Sequence, residues 1–308
     1  MMSLILIVLG AIFQGAANAV VGITVRSESM FFFLGCAFLI ASAVGWLLKA
    51  TDKSVTKPVR LLDCLWLNLA TAVTFGAFYL ALIWIPASLA AGAEAAAAPL
   101  AALSIAGLRG KRTRLRLWAI ASTIFAISIA FGWSQQISGA SGAGVGTIIG
   151  MALGIIAGTG LAALATISRR LAGSGVSAFS ILAVRYHATY ILAFACAAPN
   201  WQYTPPTAED GLMLSWFVLL GFTAVALPLV LIQSGMMRTP ATLTSVIMAG
   251  VPGISYVTET IIEPRNSTIL SWILLIGLVL AVCSYGIAET RGPFVEKVAN
   301  ESNHSPSA

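Results

Sequence analysis

Two ionisable side chains stand inside long apolar stretches. Glu94 lies in PASLAAGAEAAAAPLAALSIAG (86–107), and Arg185 lies in ILAVRYHATYILAFA (181–195). A charge at bilayer depth costs about 2.5–3.5 kcal/mol or more, so groups kept there mark substrate or ion paths. Each sits about eight residues into its stretch, ~12 Å of helix. Paired, the two would lower the cost of burying one another. Glu94 therefore has two readings. It binds the amino or other cationic group of a substrate or carries a coupling proton, or it is a fixed partner of Arg185. The Arg185 fork matches a carboxylate, and a structural role is equally open to it.

Other polar residues fall in similar surroundings. Gln14 and Asn18 are four apart and share one helix face. They either bond a neighbouring helix or line a polar cavity. His187 is two residues from Arg185 and faces another side, as a packing histidine or a cavity residue. Tyr79 and Gln233 lie near the ends of their stretches as candidate cavity residues. Glu259 reads as interfacial, and Asn68 as a hydrogen-bonding link between helices. The residues singled out for substrate binding are thus Glu94, Arg185, Gln14, Asn18, Tyr79, Gln233 and His187.

Catalytic signatures are missing. No GxxxxGK[ST] loop occurs, and His187 and His304 are the only histidines. The four cysteines, Cys36, Cys64, Cys196 and Cys283, form no CxxC and fall in or beside apolar stretches, where they read as small hydrophobes. The expectation is no enzyme activity, no cofactor and no metal.

The elements that position these residues follow from composition. Of the 308 residues 58% are hydrophobic and 9% charged, against ~25% charged in a soluble domain. A soluble enzyme, a disulfide scaffold and a disordered chain are excluded. About 20 apolar residues of helix span a bilayer core, and about ten such stretches occur. They lie near Leu4–Thr24, Met30–Leu48, Cys64–Ile85, Pro86–Ala106, Leu117–Trp133, Val145–Ile167, Ser177–Ala198, Leu212–Ile232, Pro240–Ile262 and Thr268–Ala288. The first lacks a basic leader, which favours a retained helix over a signal peptide.

With the N-terminus inside, fourteen Lys and Arg fall in cytoplasmic segments and only Arg26 and Arg265 outside. That asymmetry fits the positive-inside rule, and makes pI 9.4 an orientation signal rather than a nucleic-acid footprint. The eight tryptophans fall near the ends of stretches, as an interfacial belt does.

Pro86-Ala87-Ser88-Leu89 is echoed by Pro240-Ala241-Thr242-Leu243, 154 residues later. The same offset pairs Tyr79 with Gln233 and Gly132 with Gly286. Five spans per unit is an odd number, so the second unit must be inverted, as in secondary transporters. Gly/Pro interruptions at matched positions point to their binding sites. Pro99 in the fourth stretch and Gly250, Pro252 and Gly253 in the ninth are the expected hinges or helix breaks. The fourth stretch is rich in small residues and should be central.

The expected fold is an all-α integral membrane protein of about ten transmembrane helices in two inverted five-helix repeats. Residues 1–140 and 141–290 form the repeats, and 291–308 a disordered cytoplasmic tail. The pattern resembles the drug/metabolite transporter superfamily, in particular its EamA-type ten-helix members. FYLALIWIPASLAA (78–91), LIQSGMMRTPATLTS (231–245) and SWILLIGLVLAVCSYG (271–286) carry the resemblance. AVRYHATYILAFA (183–195) is similar to the family's Arg-then-aromatic motif.

The resemblance implies an inner-membrane exporter of a small polar metabolite, such as an amino acid, working by alternating access. Its cavity would be built from the first, third, fourth, sixth, eighth and ninth helices. The implied partners are the metabolite, the lipid bilayer and, as a candidate coupling ion, protons. The chain would be a monomer or homodimer. A cationic multidrug exporter is the alternative; an intramembrane enzyme or a scaffold lies further off.

Overall fold

The computed structural model describes residues 2–52, 57–110, 113–137, 144–200, 208–236, 247–248, 250–264 and 268–302. Among these the fold is all-helical. The helices are α1 (Met2–Thr24), α2 (Met30–Thr51), α3 (Leu61–Ala81), α4 (Ala87–Leu108), α5 (Leu115–Ile137) and α6 (Val145–Gly173). They continue with α7 (Ala178–Val184), α8 (His187–Ala197), α9 (Ala208–Gly221), α10 (Leu227–Met236), α11 (Val251–Ile262) and α12 (Ile269–Ser302). A π-helical turn, Phe222–Ala226, joins α9 to α10.

Among the described residues, seven helical stretches are long and apolar enough to cross a membrane, and two shorter apolar ones lie at Leu115–Phe131 and Ile269–Tyr285. The surface agrees. Leu61, Leu115, Ile148 and Ile269 are each more than 70% exposed, which lipid tolerates and water does not. Most of the described backbone is helical and bonds within its own helix, as a bilayer interior requires. This is the architecture of an α-helical membrane protein.

Small residues set the centre. On α6, Gly154 and Gly158 face α4 one turn apart, and Gly150, a turn earlier, packs on Ile85 just before α4. A Cβ on Gly154 would stand 2.7 Å from that of Ala93, and one on Gly158 would collide with the Glu94 carbonyl oxygen. Close backbone approach of this kind is what small residues permit. Helix α4 also meets α1, α3, α5 and α11, the central place that its Ala-rich sequence implied. Ser128 Oγ of α5 donates to Gly92 O on α4 at 3.1 Å.

Several expectations change. Helix α4 runs through Pro99 without interruption. The ring removes one donor while neighbouring turns keep their bonds, a loss that membrane helices absorb. Gly250 forms a turn and caps α11, with Pro252 in the first turn and Gly253 following. Helix α12 extends to Ser302, so the polar segment from Arg291 begins as helix rather than as a disordered tail. Propagating an existing helix costs far less than nucleating one. The repeat's Pro240–Leu243, with Trp201 and Arg238, lies outside the described residues.

The seventh stretch is divided where no break was expected. Helix α7 ends at Val184 and α8 starts at His187, with Arg185 and Tyr186 between. The Asn68 amide of α3 enters this gap. Its Nδ2 donates to Val184 O at 2.6 Å, and its Oδ1 accepts from Ala188 N–H at 2.8 Å. One side chain thus replaces the i→i+4 bond that a continuous helix would make between those groups.

Candidate functional site

Helix α1 carries Gln14 and Asn18 on one face, one turn apart. Helix α3 brings Phe75, Phe78 and Tyr79, and α4 brings Glu94. The π-turn supplies Ala224 and Val225, and α10 supplies Pro228 and Leu229. These residues surround one internal cavity. Four of the seven side chains singled out from the sequence converge there, from three separate helices.

Its polar lining is mostly oxygen. Tyr79 OH donates to Asn18 Oδ1 at 3.3 Å, with Tyr79 and Asn18 each 2% exposed. Gln14 Oε1 is buried without a hydrogen-bond partner. The cavity's volume is about 10 Å³, room for about one water molecule. Glu94 and Gln14 are partly buried beside it.

The wall opposite Glu94's helix has a distorted backbone. Leu227 N–H donates to Phe222 O, one residue further back than in an α-helix. Pro228 has no N–H, so the Ala224 carbonyl lacks its ordinary i+4 donor. Such π-bulges concentrate at functional sites. Reading for charged and amide groups alone missed this wall. Its signal was Pro228, a proline inside the apolar stretch TAVALPLVLI.

The remaining candidates lie elsewhere. Arg185 is 4% exposed and does not pair with Glu94. Its Nη2 donates to Tyr186 OH at 2.6 Å, and its guanidinium carbon lies 4.7 Å from that ring's centroid. Tyr186 packs on Phe38, and Phe38 on Phe75 and Tyr79, so aromatic rings stand between Arg185 and the cavity. His187 opens α8 and lies 5.7 Å from the Tyr190 ring. Gln233 is one turn beyond Leu229 on α10 and is not part of the lining. Gly250 and Gly253 border an open apolar groove of about 520 Å³ between α11 and α12. Among the described residues, none of the sixth or ninth stretch lines the Glu94 cavity: α6 backs α4, and α11 packs on α1 and α4.

Glu259, near the end of α11, is buried at 4% exposed. Ser88 N–H donates to its Oε1 at 3.2 Å, and Ser88 Oγ donates to Oε2. Ser88 lies in the first turn of α4, where unsatisfied N–H groups and the helix dipole favour an anion.

Neither the known protein-family models nor the curated proteins include a match to this sequence. Seven solved chains match in three dimensions. One, a crystal structure of a protein, superimposes with a TM-score of 0.65 at 18% identity, covering 92% of this chain and 95% of that one. At that identity the likeness establishes a shared fold alone.

Proposed function

We propose that this chain is a secondary transporter of the cell's inner membrane, exporting a small polar metabolite such as an amino acid by alternating access. The observation that carries this reading is the small cavity in which Glu94, Gln14, Asn18 and Tyr79 meet inside a lipid-facing helical bundle. Glu94 receives the substrate's cationic group, and the amides and phenol orient the rest.

The packing supports a two-repeat organisation of the drug/metabolite transporter kind, with ten spans. Take α1 to α5 as one unit, and α6, α7/α8, α9/α10, α11 and α12 as the other. The contact of α4 with α6 then exchanges with that of α11 with α1, and α3 with α6 exchanges with α10 with α1. The contact of α3 with α8 exchanges with that of α2 with α9, while α5 against α12 maps onto itself. Two units rocking about such an axis would open Glu94 to each side in turn.

Phe75 and Phe78 beside Glu94 favour a second reading, export of cationic aromatic compounds. Counterflow in proteoliposomes with pooled amino acids, nucleosides and aromatic cations separates the two. Glu94→Gln should abolish counterflow of whichever substrate is found, at normal expression and monodispersity. Full transport by that variant would remove Glu94 from the site.

A further inference from the structure

The small cavity beside Glu94 has a composition of its own. Its candidate ligands are the Glu94 carboxylate, Gln14 Oε1, Asn18 Oδ1, the Tyr79 phenolic oxygen and the Ala224 carbonyl. Three of these bear on occupancy. Gln14 Oε1 is buried and accepts nothing. The Ala224 carbonyl has lost its i+4 donor to Pro228. No side chain among the described residues forms an ion pair with Glu94. The free volume matches about one water molecule, too small for an organic substrate.

We infer that this cavity is a binding site for one small monovalent cation of sodium's size. Hard cations take carboxylate, amide and backbone carbonyl oxygens. The charge balance selects the valence. One carboxylate and one monovalent ion sum to zero, whereas a divalent ion would leave a net charge within the bundle. No group of three or more His, Cys, Asp or Glu side chains that could hold a metal ion occurs among the described residues, so the donor set does not suit a transition metal. A proton on Glu94 would neutralise the charge but needs only one acceptor, and it would leave the void unfilled. The ion's role, to neutralise Glu94 while the substrate-free carrier reorients, rests on the transporter reading. The site itself does not.

The test uses purified full-length protein in detergent, at fixed pH and ionic strength, titrated with radiolabelled sodium against an N-methyl-glucamine background. Saturable binding of about one ion per chain is expected, with thermal stabilisation that N-methyl-glucamine does not give. Glu94→Gln should abolish it, and Gln14→Leu should weaken it by about tenfold or more. Glu28→Gln, on an exposed 3₁₀ turn, should bind like wild type. The inference is overturned if wild type shows no saturable sodium binding, if Glu94→Gln binds normally, or if lowering the pH alone reproduces the stabilisation. Counterflow separates this from the transporter reading. Transport that persists unchanged in sodium-free medium, with no sodium bound, removes only the ion; sodium binding without transport of any substrate removes only the carrier.

Discussion

Glu94, Arg185 and Glu259 share a problem, a charge-bearing group inside a lipid-facing bundle, and the fold treats each differently. Glu259 is held by the first turn of α4 through Ser88. Arg185 leans on its neighbour Tyr186 and is walled off by rings. Glu94 faces a cavity instead of a partner, which is why it, and not the other two, is read as the ligand-binding group. Asn68 shows how much one amide can hold. Asn68→Leu leaves the Val184 carbonyl and the Ala188 N–H without their side-chain partner, at about 1–3 kcal/mol for an unsatisfied buried group. The expected result is a clearly lowered melting temperature in detergent. An unchanged one would show that α7 and α8 fuse once the amide is gone.

The helices place these groups through close approach and local distortion. Glu94 is fixed in depth because Gly158 and Gly154 let α6 lie against the α4 backbone. Gly158→Leu should force α4 away, since its first side-chain atom already overlaps the Glu94 carbonyl. Transport and sodium binding should fall together in that variant, although it removes no polar group. If both persist at wild-type levels, the α4–α6 contact does not position the site. Helix propensity foresaw neither distortion. The break at Arg185 depends on Asn68, 116 residues before Val184. Pro228 takes a donor from the π-turn, but a proline alone does not say what it does to a helix: α4 continues unbroken through Pro99.

At the level of the bundle, orientation is the property still read from charge. By the positive-inside rule, fourteen basic residues against two predict that both termini are cytoplasmic. A reporter active only in the cytoplasm should therefore function when fused after Ala308, and one active only outside should not. The reverse pattern would invert the topology and exchange the two faces of the proposed carrier.

Much was legible in the chain itself. Composition excluded water as the solvent for the outer faces, because a 9% charged chain cannot cover a soluble surface. The i, i+4 spacing of Gln14 and Asn18 fixed their shared face, since 3.6 residues make a turn whatever surrounds it. The cost of burying charge marked Glu94 and Arg185. None of these arguments could say which groups meet. Two mid-depth charges on different helices can pair or stand apart, and the choice is made by packing between segments distant in sequence. Tertiary structure joined Glu94 to Gln14, Asn18 and Tyr79, put aromatic rings before Arg185, and sent Glu259 to the start of α4. The reason is that side-chain contact between helices depends on their relative rotation and distance. Glycine contacts, inserted amides and missing N–H groups set those quantities jointly, and no single stretch of sequence encodes them.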